Sequence, residues 1–254
     1  MFNVLNNTKS IVIGIVSALI LSTSALATPS TQIWIPSTDI QATGTFHLGL
    51  DNYSAVGTGT APSAGVTNYF DGGLTYGALP GLEVGFDFIS TLQYPVVFNV
   101  KYGISEPALP VSVAVGAYNI GLTPTTATVL NGNDQNIIYG LVAKNFDGIG
   151  RLSAGYYSGN NKNSAFDTTV LVNGKAQESS GLLLSFDKQI NDKIWAAVDY
   201  QGGYNFFGAL SFGVSYAFAP NTSVIFGYDI YTITPAAGVP GNFSTFTTQL
   251  DINF

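Results

Sequence analysis

The sequence predicts an all-β protein, a transmembrane antiparallel up-and-down β-barrel of about 12 strands, within a range of 10–14. Three observations carry this. Charged residues make up only 9% of the 254-residue chain, against about 25% in ordinary soluble domains. After residue 27 no uninterrupted apolar run reaches the roughly 18 residues of a membrane helix. Apolar and polar residues instead alternate with period two, over segment after segment, as they do along a strand with two unlike faces. Low charge without a spanning helix leaves a closed barrel as the way to satisfy every backbone group in lipid.

Residues 1–27 read as a cleaved signal peptide. Lys9 precedes the apolar run Ile11–Leu21, and Ala25 and Ala27 have the small-residue spacing of a cleavage site. The run is too short to anchor the chain across a bilayer. Residues 28–39, with Trp34 and Pro36, read as a periplasmic N-terminal segment or a small plug. Residues 40–254 form the barrel.

Within 40–254 the expected strands run 40–53, 66–79, 82–91, 96–105, 109–121, 135–146, 150–159, 180–190, 193–201, 206–218, 222–233 and 245–254. Most are close to the 9–11 residues of a tilted membrane strand. The 82–88 stretch puts Leu82, Val84, Phe86 and Phe88 on one face and Glu83, Gly85 and Asp87 on the other. The 206–218 stretch sets Phe206, Gly208, Leu210, Phe212, Val214, Tyr216 and Phe218 against Phe207, Ala209, Ser211, Gly213, Ser215 and Ala217. Connections alternate in kind. Those at 79–82, 106–110, 146–150, 189–193 and 218–222 are tight and built from Pro, Gly, Asn and Asp, which supply turn geometry. Most of the others are longer: 57–65, 122–134, 160–179 and 234–244. Short periplasmic turns with longer extracellular loops are the rhythm of an outer-membrane barrel. Inside 160–179, Asn173-Gly174 between β-formers predicts a small hairpin.

A soluble sandwich would place its apolar faces inside and cover its outer faces with Lys and Glu. Eight Lys and Arg residues cannot furnish such a surface.

The chain resembles Gram-negative outer-membrane β-barrels of the porin-like class. The signal peptide, the alternating strands, the turn rhythm and the closing stretch "TFTTQLDINF" carry the resemblance. It implies that Phe254, Ile252, Leu250 and Phe246 form the signal read by the barrel-assembly machinery. It further implies an outer-membrane location, with outer-membrane lipid as the surrounding partner.

The inward faces list the candidate chemistry. The acidic members are Asp51, Asp71, Glu83, Asp87, Asp187, Asp199, Asp229 and Asp251; the basic ones are Lys101, Lys144 and Arg151, with His47 beside them. An acidic wall concentrates cations and repels anions. A twelve-stranded barrel has a backbone radius of about 12 Å and an opening of at most about 6 Å radius after its side chains are placed. The expected function is therefore a narrow passive pore for ions or small solutes, weakly cation-preferring. The alternative is a non-conducting barrel that displays its loops or supports the membrane, as an adhesin, a receptor or a structural element.

A lipid-modifying enzyme ranks below both. His47 is the one histidine and has no serine nucleophile motif beside it, so no catalytic residue and no cofactor are expected. One His and no Cys give no metal site. Fifteen acidic residues against eight basic ones exclude nucleic acid as a partner.

Overall fold

A computed structural model describes residues 30–56, 68–106, 108–126, 131–234 and 244–254. The expected signal peptide lies outside the described residues. Fourteen strands are present among them. They are β1 (Phe46–Ala55), β2 (Asn68–Leu79), β3 (Leu82–Ile89), β4 (Val96–Ile104), β5 (Ser112–Ile120), β6 (Ile137–Phe146), β7 (Gly150–Ser158), β8 (Leu171–Val172), β9 (Lys175–Ala176), β10 (Ser180–Asn191), β11 (Ile194–Gln201), β12 (Ala209–Ala219), β13 (Thr222–Tyr231) and β14 (Thr245–Asn253). All but β8 and β9 form one closed antiparallel barrel in which each strand pairs with its neighbours in the chain, β7 pairing with β10. β1 and β14 close the ring, in register from His47↔Asn253 to Ala55↔Thr245.

Alternation decides the faces. Phe86, Phe98, Val115, Leu152, Phe212 and Phe226 project outward and are exposed, whereas Ser211, Ser215, Asp229, Thr247 and Gln249 point inward and are buried. The barrel is apolar outside and polar inside, the reverse of a soluble sandwich.

Local chemistry sets the ends of the strands. Gly81 and Gly148 take left-handed backbone in two tight turns, with φ of 78° and 72°, a conformation nearly free of cost only for glycine. At 191–194 the Asn191 side chain accepts from the amides of Lys193 and Ile194. The small hairpin β8–β9 turns on Asn173 and Gly174, both with positive φ, as a two-residue hairpin loop requires.

Three expected strands, β1, β5 and β12, start three or more residues late. Residues 40–45 form a turn, with Thr45 N donating to Ala42 O and Gly44 at φ 82°, so β1 begins at Phe46. Asn205 Oδ1 accepts from Phe207 N and Gly208 N. That side chain competes with the ladder for those amides, and β12 begins at Ala209. In β5 the register shifts between Phe98 and Val100 of the partner strand, and Asn119 takes φ 52°. This bulge turns both Tyr118 and Asn119 inward.

Residues 30–39 lie inside the barrel. Gln32 N donates to Ile35 O at 2.8 Å and Thr31 bridges to Pro36, which makes a tight hairpin with Ile33 and Trp34 at its tip. Ile33 and Ile35 are fully buried there.

Candidate functional site

The inserted hairpin is held by inward carboxylates. Asp199 Oδ2 accepts from the backbone amides of Ile33 (2.8 Å) and Trp34 (2.9 Å). Glu83 accepts from Ser30 Oγ and from Gln41 N, and pairs with Lys101 at 3.0 Å. Lys101 also donates to Ser30 O. Arg151 bridges Asp39 of the segment (2.6 Å) and Asp187 of the wall (2.9 Å), and Asp187 also accepts from Gln32 and from the Trp195 indole. Buried charges persist when they are paired and fully hydrogen-bonded.

One half of the bore is filled. Ile35, Ile137, Leu141, Tyr157, Phe166 and Leu183 pack into a buried apolar cluster with Phe207 against it. Phe166 comes from the connection after β7 and stacks on Phe207 with centroids 5.0 Å apart. That connection folds inward and is tied down at Asp134, which accepts from Asn163 and Asn160.

The other half holds a cavity of about 480 Å³ along the β1–β4 wall. It reaches from Thr91, Leu92 and Asn131 at the long-loop end to His47, Glu83 and Lys101 toward the short turns. Five carboxylates line it: Asp51, Asp71, Glu83, Asp87 and Asp251. Glu83 is paired with Lys101, and Asp251 lies 3.5 Å from His47 Nε2. His47 Nδ1 contacts Asn253 Oδ1 at 3.2 Å. Asp51, Asp71 and Asp87 are in no ion pair among the described residues. Asp87 accepts from Asn99 at 2.6 Å. Above them stand Tyr53 and Tyr69, stacked with centroids 4.3 Å apart, and Trp34, edge-on to Tyr53 and Tyr231.

The candidate residues thus divide. Asp51, Asp71, Glu83, Asp87, Asp251, His47 and Lys101 line the cavity. Asp187, Asp199 and Arg151 hold the inserted segment. Asp229 is buried against Thr245 Oγ1 at 2.7 Å and does not line the cavity.

Lys144 requires correction. It pairs with the outward Leu152, so it stands on the outer face near the short-turn rim, bonded to Glu106 and to Pro110 O. Its strand, "IIYGLVAKNF", carries apolar residues on both faces because Ile137 and Leu141 turn inward to the apolar cluster. The alternation there has no visible phase. Hydrogen bonds from Lys144 and Asn145 hold the half-buried Glu106 carboxyl below the usual glutamate range.

Sequence reading named Trp34 only within a periplasmic segment or small plug, and missed Tyr53, Tyr69, Phe166 and Phe207 as site residues. A signal for the insertion was present: the inward face of β12 is Ala209, Ser211, Gly213, Ser215 and Ala217, all small. A Cβ placed on Gly213 would come within 2.9 Å of Ile33 Cδ1, so the small wall is the seat of the hairpin.

Fold and site together define a closed twelve-stranded β-barrel with a segment of its own chain inside. No family model and no curated protein matches the sequence. Among solved structures it is similar to an outer membrane channel from Pseudomonas putida, at 13% identity and a TM-score of 0.42, over 86% of this chain and 98% of that one. It is also similar to a triple mutant of the Rhodopseudomonas blastica porin, at 16% identity and a TM-score of 0.36, over 73% of this chain. The match spans little more than half of that porin, 55% of its length.

Proposed function

We propose that the protein is an outer-membrane channel that passes small cations along the cavity beside its inserted segment. The observation that carries this is the charge of the cavity wall: among the described residues, five carboxylates stand against one lysine and one histidine, with Asp51, Asp71 and Asp87 in no ion pair. Uncompensated charge in a low-dielectric channel raises the local concentration of counter-ions. The membrane location follows from the outer face. A ring of exposed Phe, Val, Leu and Tyr would be costly in water, at about 25 cal/mol per Å² of apolar surface, and finds its solvent in acyl chains.

One observation favours the non-conducting alternative: the hairpin and Phe166 together fill half of the bore. Planar-bilayer recording separates the two. Discrete current steps support the channel, and a quiet bilayer supports a display or structural barrel. In a salt gradient, Asp51→Asn with Asp71→Asn should move the reversal potential toward zero, whereas Asp229→Asn should leave it in place. Equal effects of the two changes would count against the cavity as the path.

A further inference from the structure

We propose that the cavity is a binding site for a small organic ammonium ion, a primary amine or diamine, rather than only a passage for hydrated metal ions. This rests on the channel reading above, whose permeating cation it specifies. Asp51 and Asp71 stand directly opposite each other on β1 and β2 and share the inward face. Like charges so placed destabilise a sheet, and no basic side chain pairs with either among the described residues. One step further along the same faces are the stacked rings of Tyr53 and Tyr69. Carboxylates beneath aromatic rings suit a cation that carries an apolar body, because ring faces attract ammonium groups and alkyl chains together.

A second, independent feature points the same way. Gln135 lines the same cavity and is only 6% exposed, yet its Oε1 has no hydrogen-bond partner among the described residues. Asp71 Oδ1 is likewise a buried acceptor without a donor among the described residues. Such acceptors are costly to leave unsatisfied, and a ligand rich in N–H groups satisfies them. Among the described residues, no three His, Cys, Asp or Glu side chains converge as a metal site. The volume, about 480 Å³, is that of a pocket for a small organic molecule.

The test is calorimetric titration of the full-length protein in detergent with putrescine, 1,4-butanediol and succinate. Putrescine should bind, and the uncharged diol and the dianion should not. Asp51→Asn and Asp71→Asn should each weaken binding about tenfold or more, as expected for loss of a charge partner in a confined site. Gln135→Leu and Tyr69→Leu should weaken it severalfold, and Asp192→Asn, in an exposed turn, should change nothing. Retained resistance to SDS at room temperature certifies that each variant is folded. No heat with putrescine, equal binding of the diol, or indifference to both aspartate changes would each overturn the proposal. Putrescine binding with a quiet bilayer keeps the site and removes the channel. Current steps without putrescine binding keep the channel and remove the site.

Discussion

Asp199 and Asp51 both project inward from barrel strands, yet they do different work. Asp199 spends one oxygen on two backbone amides of the hairpin. Hydrogen bonds to a charged acceptor are worth about 1.5–3 kcal/mol each, so Asp199 fixes the segment. Among the described residues Asp51 has no such partner, and it faces the cavity beside Gly49. Gly49 is therefore the position from which the path can be closed. A Cβ there would meet only His47 Nε2 at 3.6 Å and Asp51 Oδ1 at 3.9 Å, both ordinary contacts, whereas one at Gly73 would collide with the Asp87 carboxylate. Gly49→Phe should leave the barrel as stable as before or better by up to about 1 kcal/mol, because glycine is a poor strand residue. It should cut the single-channel conductance by at least half, and unchanged conductance would place the path elsewhere. The division of the aspartates was not legible in the sequence. Period two tells which face a carboxylate takes, but what sets Glu83, Asp187 and Asp199 apart from Asp51 is their partners in residues 30–41, far away in the chain. The phase itself failed only at Lys144, where the strand is apolar on both sides.

At the scale of elements, the alternation was enough to place all twelve barrel strands, because each one has unlike solvents on its two faces and a one-residue slip would invert both. The ends were less legible. At Gly44 and Asn205 the chain leaves the ladder through turns that local hydrogen bonds create. The β8–β9 hairpin was visible because Asn-Gly has few alternatives. The hairpin at 31–36 was not, since it has no strand-length pattern and is ordered by the wall around it. That makes it testable as a unit. Ile33 Cγ2 lies 3.2 Å from a Cβ built on Gly227, close to the separation of a sulfur from the far Cβ in a relaxed disulfide. The chain has no cysteine, so the pair Ile33→Cys with Gly227→Cys introduces a single bridge. Oxidised protein should show one steady conductance level with little current noise. Reduction should restore any excursions of the segment. If the two states give identical traces, the hairpin is already immobile on the time scale of recording.

At the scale of the whole molecule, the question is whether the inserted segment is core or cargo. Its two buried isoleucines supply an apolar contribution of about 1.5–3 kcal/mol each when fully buried, and its polar contacts to Asp199, Glu83, Asp187 and Arg151 add to that. The barrel has a separate source of stability. Its ladder is closed by β1 and β14, so no edge is left to fray, and in lipid every broken ladder bond would expose an unsatisfied group. Removal of residues 30–41 would not expose those bonds. It would admit water to the β11–β13 wall, where Asp199, Ser211 and Ser215 can be hydrated, and would leave Ile137, Leu141 and Leu183 in contact with Phe166 from the long connection. Water in the vacated space costs the acidic groups little, because the segment had itself replaced water around them. The shortened protein should therefore still resist SDS until boiled. Its conductance should rise severalfold, since the open radius would approach the roughly 6 Å that a twelve-stranded wall allows. Loss of SDS resistance at room temperature would show instead that the segment is the interior core on which the barrel depends, and the cavity beside it would then be a by-product of that packing.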